Sequence, residues 1–385
     1  MKILLFGAGL MGKAIIFDML KQNDLKVLGI FEKNKGNLEK IRRNYKDRRL
    51  KFFSGDVTDK NRVNKVMQNF DTVISAVHYN LNYDLSLLAI ENGCCFCDLG
   101  GNYRIVQKQL TLDKLAREKN VCIIPDCGLA PGLSSIFCVS GIKKMEHIEE
   151  IKIRVGGLPQ NPEPPLNYKL VFSIKGVINQ YKEKTFCIKN WKIREINSLS
   201  GLENLFFPEP FGRLEAFNTS GGISTLPHTL SGKVRNLNFK TIRYPGHCKG
   251  IKLMRDLGFF DEDKIILKGV SVSKRETIEA ILEKKLTNQD KDCSLVRVDI
   301  LGKYERKNYL NRFQIIDYFD ESSGLTSMMR MTGFPVSIIA QMLSRNKIRK
   351  IGVKPQEEAV PPAAFIKGLK QRKIPLEESM EEVNL

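Results

Sequence analysis

The opening stretch, MKILLFGAGLMG, constrains the fold more than any other part of the chain. An apolar run from Ile3 to Phe6 leads straight into Gly7, Gly9 and Gly12, a G-x-G-x-x-G spacing at a strand-to-helix junction. In that setting each glycine has its own task. Gly7 lets the chain turn, Gly9 removes the side chain that would hold the backbone away from a phosphate, and Gly12 lets the helix pack close to the strand. Leu10 and Met11 fall in the first turn of that helix, whose free N–H groups and positive dipole end suit a pyrophosphate. The pattern points to a bound dinucleotide.

The neighbouring sequence supports this. Ile15, Ile16, Met19 and Leu20 recur at helical spacing, and a second apolar run, 27–31, ends at Glu32, 20 positions after Gly12. A carboxylate there grips the adenosine ribose hydroxyls and repels a 2′-phosphate, so NAD is expected over NADP. Lys33 and Lys35 weaken that preference without reversing it. Strands are predicted at 2–6, 27–32, 51–53, 72–75, 95–98 and 121–125, with helices between them, notably 60–67, 82–92 and 110–119. Such alternation predicts a parallel, doubly wound sheet of six strands. Asp56, in the turn GDVTD, either reaches the adenine end or caps a helix. The fourth strand ends in Ser75, Ala76, Val77 and His78, at the edge of the cofactor crevice. His78 either faces the nicotinamide or is an ordinary loop histidine.

From His147 the character changes to runs rich in Thr, Ile, Val, Tyr and Phe, at 151–155, 169–174, 234–243 and 264–273, with a hairpin at 294–304 and 308–318. These predict a second domain with a mixed or antiparallel sheet. An apolar helix from Met328 to Leu343 and a short one at 362–370 follow, then an acidic tail expected to be mobile. The expected domains are 1–130, 131–330, 331–375 and the tail 376–385.

Of the 385 residues, 42% are apolar, enough for two cores. No run of about 18 apolar residues exists, so no membrane partner is expected. Nothing resembling a secretory leader precedes the first strand, and the nine cysteines, with Cys94, Cys95 and Cys97 crowded on one strand, suit reduced thiols in a cytoplasmic protein. No paired ligand spacing predicts a metal. The formal charge is +19, from 62 basic and 43 acidic residues, but the basic residues are spread out and not interleaved with aromatics, so nucleic acid is not the expected partner.

Several segments together carry a resemblance. Besides GAGLMG these are CFCDLGGN around Asp98, DCGLAPGL at 126–133, EAFNTSGG at 215–222, TIRYPGH at 241–247, MTGFP at 331–335 and a late Gly352-Val-Lys-Pro. Their order resembles the saccharopine dehydrogenase-like oxidoreductases, in particular the lysine 6-dehydrogenase and saccharopine reductase branch, over nearly the whole chain. The resemblance implies a Rossmann domain interrupted by an α+β substrate domain, with C-terminal helices returning to the first domain. It also implies a homodimer or homotetramer acting on an amino acid at a C–N bond with NAD or NADP.

Removing hydride from an amine-bearing carbon needs a neutral amine and then an activated water, so a base with a pKa near neutrality is wanted, a histidine or a carboxylate raised by burial. His247, after Tyr244-Pro-Gly, is the first candidate, with a helix-capping role as the alternative. Asp98 and Asp126 end strands on the crevice side and either bind a substrate ammonium or cap the turns that follow. Arg243 is the candidate clamp for a substrate carboxylate, or else a structural ion-pair partner. Glu215 and the 219–222 turn are candidates for shaping the amino end of the site. Two reactions fit: NAD-linked oxidative deamination of the side-chain amine of lysine or a similar diamino acid, and reductive condensation of an amino acid with an aldehyde. A non-catalytic NAD-binding protein is the third reading.

Overall fold

The computed structural model describes residues 1–384; residue 385, the last of the expected tail, lies outside them. The chain divides into two compact units. Unit 1 holds Met1–Lys143, Ser224–Leu226 and Met329–Ile374, and unit 2 holds Lys144–Ile223, Pro227–Met328 and the residues from Pro375 onward.

Unit 1 is built on β1 (Lys2–Phe6), β2 (Val27–Glu32), β3 (Leu50–Ser54), β4 (Thr72–Ser75), β5 (Cys95–Asp98) and β6 (Cys122–Ile124). Ile3 to Phe6 and Leu28 to Phe31 are buried throughout, as strands covered on both faces must be. The order across the sheet is β6-β5-β4-β1-β2-β3, all parallel, and the direction of winding reverses between β1 and β4. The doubly wound α/β sheet is therefore as expected, with one addition. Gly352–Val353 pairs in parallel with β6 and makes a seventh strand. Two residues are too short to show any periodicity, so nothing in the sequence marks them as a strand.

The C-terminal helices return to this unit for a specific reason. Asp18, on helix Leu10–Leu20, is fully buried and forms an ion pair with Arg372 at 2.7 Å. It also accepts hydrogen bonds from Ser337 Oγ (2.5 Å) and Gln341 Nε2 (3.0 Å). At Gly333 a Cβ would stand 2.8 Å from Ala14 Cβ and 3.2 Å from the Met11 carbonyl, so only glycine allows the two helices to meet this closely. Helix Leu133–Ile142 packs on Gln356–Ala359 and Pro362–Gln371. Unit 2 therefore starts near 144, later than the expected boundary at 131.

Unit 2 carries a nine-stranded mixed sheet whose centre is His147–Pro159, flanked by Val234–Arg243 in parallel and Asp292–Tyr304 antiparallel. The expected hairpin forms between Asp292–Tyr304 and Lys307–Tyr318. Its two-residue turn, Glu305-Arg306, has both residues at positive φ (48° and 65°), the backbone a tight hairpin requires even without glycine. The acidic tail is corrected. Leu376–Glu382 is a strand that pairs with Lys307–Tyr318 over seven residues, and Glu378 and Glu382 reach Lys144 (2.5 Å) and Lys307 (2.8 Å). Acidity alone suggested a mobile end, but an open strand edge in a basic chain supplies both backbone and charge partners. Among the described residues no helix is long and apolar enough to cross a membrane.

Replacing Arg372 with alanine leaves Asp18 buried without its cation. The expected loss of stability is about 3–5 kcal/mol, read as a lower urea midpoint; a midpoint within error of the parent would show that the pair does not hold the C-terminal helices.

Candidate functional site

In unit 1 the glycine turn is tightly built on one side and open on the other. Gly7 has φ of +92°, and a Cβ there would stand 2.7 Å from the Ala76 carbonyl oxygen and 3.1 Å from Val77 Cγ1. A Cβ on Gly12 would collide with the Gly7 carbonyl. Gly9 is different: nothing lies within 4 Å of its Cβ position. Exposed Leu10 and half-buried Met11 follow in the first helical turn. Glu32, at the end of β2, accepts the Ala8 N–H and the Asn34 N–H, both at 2.6 Å, so its carboxylate is held against the glycine turn. The residues fit a dinucleotide: a turn closed behind, open space at Gly9, and a carboxylate fixed beside it.

Asp56 does not join them. Its Oδ1 accepts from the Thr58 amide (3.0 Å) and hydroxyl (2.8 Å), and Lys33 pairs with its Oδ2 at 3.0 Å. Those contacts hold it near pKa 2 and make it a turn cap. Val77 packs at Gly7, while His78 caps the turn Tyr79–Leu81 and lies against Tyr79 with ring centroids 4.2 Å apart and planes tilted by 34°.

Past β5 and β6 lies a buried group of carboxylates. Asp98 is completely buried. Its Oδ1 accepts from the Gly100 amide (2.7 Å) and the Asp126 amide (3.1 Å), and its Oδ2 from Gln109 (2.7 Å). Burial nevertheless raises it to about 6. Asp126 sits in the left-handed region (φ 60°) with its carboxylate folded over Gly100, where any Cβ would clash. Burial first, and the charge of Asp98 next, raise it to about 7, with Ser224 and the Gly101 amide opposing. Glu357, from the C-terminal segment, adds to the rise and accepts a hydrogen bond from Thr225 Oγ1 at 2.7 Å. The GLAPG segment closes this corner: Gly132 has φ of +128° and leaves no room for a Cβ over Gly128.

Unit 2 holds a second buried chain of groups. Arg243 ends its strand fully buried, with its guanidinium 4.5 Å over the Tyr168 ring. Its Nε donates to the Tyr181 hydroxyl (3.2 Å) and its Nη1 to the Ile242 carbonyl (2.8 Å). His247 Nδ1 meets the Leu166 carbonyl at 2.9 Å, so it must carry the proton there. Nε2 then accepts from Tyr181 Oη at 2.9 Å. Burial, and secondly the charge of Arg243, lower His247 to about 3. The expectation of a histidine titrating near neutrality is therefore corrected: this imidazole is neutral, enclosed and fully hydrogen-bonded. Glu215 is also committed, accepting the amides of Cys248 (2.6 Å) and Gly246 (3.0 Å) and so capping the helix His247–Asp256 from the neighbouring strand.

The structure thus brings Gly7, Gly9, Gly12 and Glu32 together, and Asp98 with Asp126. Arg243 lies with His247 through Tyr181. Tyr168, Tyr181, Ser224 and Glu357 were missed, since each lies far along the chain from its partner, and Gln109, 11 positions from Asp98, was missed because it stands in no motif. All nine cysteines are free thiols, eight of them buried. Among the described residues no cluster of His, Cys, Asp and Glu could hold a metal ion.

A doubly wound parallel sheet with this glycine turn defines a dinucleotide-binding chain of the oxidoreductase type. The chain belongs to the saccharopine dehydrogenase family: residues 3–124 match the model of the saccharopine dehydrogenase NADP binding domain, and residues 128–374 that of the saccharopine dehydrogenase C-terminal domain. It is 22% identical over 303 residues to the Saccharomyces cerevisiae saccharopine dehydrogenase [NADP(+), L-glutamate-forming], a match covering 75% of this chain and 65% of the relative, just under two thirds of its length. Among solved structures, apo histidine-tagged saccharopine dehydrogenase (L-Glu forming) from Saccharomyces cerevisiae superposes with a TM-score of 0.82 at 18% identity, covering 99% of this chain and 100% of that one. The homospermidine synthase of Legionella pneumophila in complex with NAD gives 0.70 at 11% identity, covering 100% and 92%. At such identities the likeness is one of fold.

Asp126 also dictates a pH dependence of stability. Its carboxyl titrates near 3.8 when unfolded and about 7 when folded, so between those values the folded chain holds a proton that the unfolded chain releases. Stability from this group therefore falls as pH rises from 4 to 7. His247 acts in the opposite sense: the unfolded imidazole protonates near 6.5 and the folded one near 3, so stability falls as pH drops through that range. Asp126→Asn removes the first effect alone. Its urea midpoint should hold up better than the parent's on going from about pH 5 to about pH 7.5; parallel curves for the two proteins would refute the raised pKa.

Proposed function

We propose that this chain is an NAD-linked oxidoreductase that oxidises a C–N bond in an amino acid, with the side-chain amine of L-lysine or a similar diamino acid as substrate. The observation that carries the reading is the pair of buried carboxylates, Asp98 and Asp126, raised to about 6 and about 7. A nicotinamide, when bound, supplies the hydride acceptor. The chain's own residues then have two tasks, holding the substrate and moving protons.

Asp126 is the group whose pKa suits proton transfer at neutral pH: it takes a proton from the substrate ammonium and releases it to solvent, then takes one from the water that attacks the iminium carbon and returns it to the departing ammonia. Asp98 stays one step behind it: its charge raises Asp126. Water addition to the iminium, followed by loss of ammonia, leaves a semialdehyde. Within unit 2, Arg243 is the group that suits a carboxylate, its Nε and Nη1 being fixed by Tyr181 and Ile242. His247 is a positioning residue that acts through Tyr181 on Arg243.

Two features support NAD. Glu32 is held against the glycine turn by two amides, where it repels a 2′-phosphate. Lys33, the nearest cation in sequence, is paired with Asp56 and so is partly engaged. The names of the relatives favour a second reading, reductive condensation of an amino acid with an aldehyde: the yeast relative is named L-glutamate-forming and NADP(+)-linked, and the Legionella protein is a homospermidine synthase. Both reactions pass through an imine at the same carbon–nitrogen bond and make the same demand on Asp126.

Steady-state assays separate them. The leading reading expects lysine-dependent reduction of NAD with no oxoacid or aldehyde added. Turnover only with an aldehyde, an amino acid and reduced cofactor establishes the condensation instead. Glu32→Ala should weaken NAD binding more than NADP binding, and equal losses would remove the ribose assignment. Asp126→Asn should lower kcat by about 100-fold or more and abolish the limb of the pH–rate profile near pH 7. His247→Asn should leave that limb in place while raising KM. A limb lost with His247 and kept without Asp126 would reverse the two roles.

A further inference from the structure

A recess of about 400 Å³ opens in unit 2 between Lys182, the 197–200 loop, Lys252 and Arg255. Lys182 closes the helix Ile174–Lys182, and Lys252 and Arg255 lie three residues apart on the helix His247–Asp256, so both face the same side. The loop adds Ser198 and Ser200, whose hydroxyls already donate to the Glu183 and Asn197 carbonyls. It is a built feature. Leu199 is held at φ of +60° with its side chain buried in the cluster that contains Tyr181 and Ile251, and its N–H donates to the Asn218 carbonyl at 2.8 Å.

The charges in this recess do not balance. Lys182 Nζ donates to the Phe260 carbonyl at 2.9 Å, with Glu262 only at 4.0 Å and already engaged with Arg275. Arg255 Nη1 donates to the Ser198 carbonyl at 3.1 Å, and its Nε and Nη2 take Asp256 Oδ1 at 2.9 and 2.7 Å. Lys182 and Arg255 stand in the last turns of their helices, where a cation suits the dipole end, and each also holds a carbonyl outside any helix, which accounts for both. It does not account for Lys252, an exposed lysine one turn further in, which adds a third positive charge to the same recess. Three cations face Asp256, a Glu262 shared with Arg275 and an Asp263 paired with Lys274, so the recess keeps a net positive charge that favours an anion. The size suits a small ligand.

We propose that this recess is an anion site for a phosphate-class dianion, either inorganic phosphate or the phosphoryl group of a small monoester. Both the charge and the N–H donors come from Lys182, Lys252 and Arg255. The site uses none of the residues assigned to the reaction or to the dinucleotide.

The test is calorimetric titration of the whole protein with inorganic phosphate, and in a second arm with glycerol phosphate, at constant ionic strength set with chloride. Saturable binding is expected, weakened about tenfold or more by Lys252→Glu and retained by Lys252→Arg. Lys252 is exposed, so both variants should fold, which circular dichroism checks. The glycine turn is another phosphate-binding candidate, so Gly9→Ala serves as the control: its Cβ has room, and phosphate binding should survive it. Tighter binding of the monoester would identify the natural ligand as an ester, and equal or weaker binding would identify it as phosphate itself. The proposal is overturned by an absence of saturable binding beyond chloride, by binding unchanged in Lys252→Glu, or by binding lost in Gly9→Ala.

Discussion

The close approach of backbone to backbone at the glycine turn is the constraint on which unit 1 depends. Gly7 lies under the Ala76 carbonyl and Gly12 over the Gly7 carbonyl, so β1, β4 and the first helix are locked at one point. The same helix then meets the C-terminal segment at Gly333, another contact that no side chain allows. Its buried face carries Asp18, which gathers Ser337, Gln341 and Arg372. One helix thus ties the dinucleotide turn to residues more than 300 positions away. Each of these contacts is steric or ionic, and so is sensitive to a single substitution.

Burial then sets the protonation of the functional candidates, and it works in opposite senses in the two units. In low dielectric the neutral form is favoured, so carboxyl groups rise and imidazoles fall. Asp98 and Asp126 are pushed towards neutrality, where a carboxyl can both accept and return a proton. His247 is pushed down to about 3 and becomes a fixed hydrogen-bonding element. The imidazole is thereby kept neutral where an exposed histidine would titrate, and two carboxyls that are usually charged at neutral pH titrate close to it.

Much of the fold was legible because it rests on local pattern. The buried runs of β1 and β2, the glycine spacing and the position of Glu32 are all written within 32 residues. The hairpin of unit 2 was equally plain from its two alternating strands. Gly352–Val353 was not, being too short for any period, and neither was Leu376–Glu382, whose acidic composition masked an edge strand. Glu215 looked like a site residue because it stands in a distinctive segment. The reason for a glutamate there is the pair of unpaired amides at the start of the helix His247–Asp256, visible only when strand and helix are placed together.

By itself the sequence determined the class of sheet, the turn that faces a dinucleotide and the family of the chain, since these follow from residue spacing along a strand and a helix. Only the tertiary structure decided which titratable groups are enclosed and which neighbours they meet: Asp98 beside Asp126, Arg243 on Tyr181, His247 against Leu166. The pKa of a side chain depends on solvent access and on charges brought near in space, and neither is a property of sequence distance.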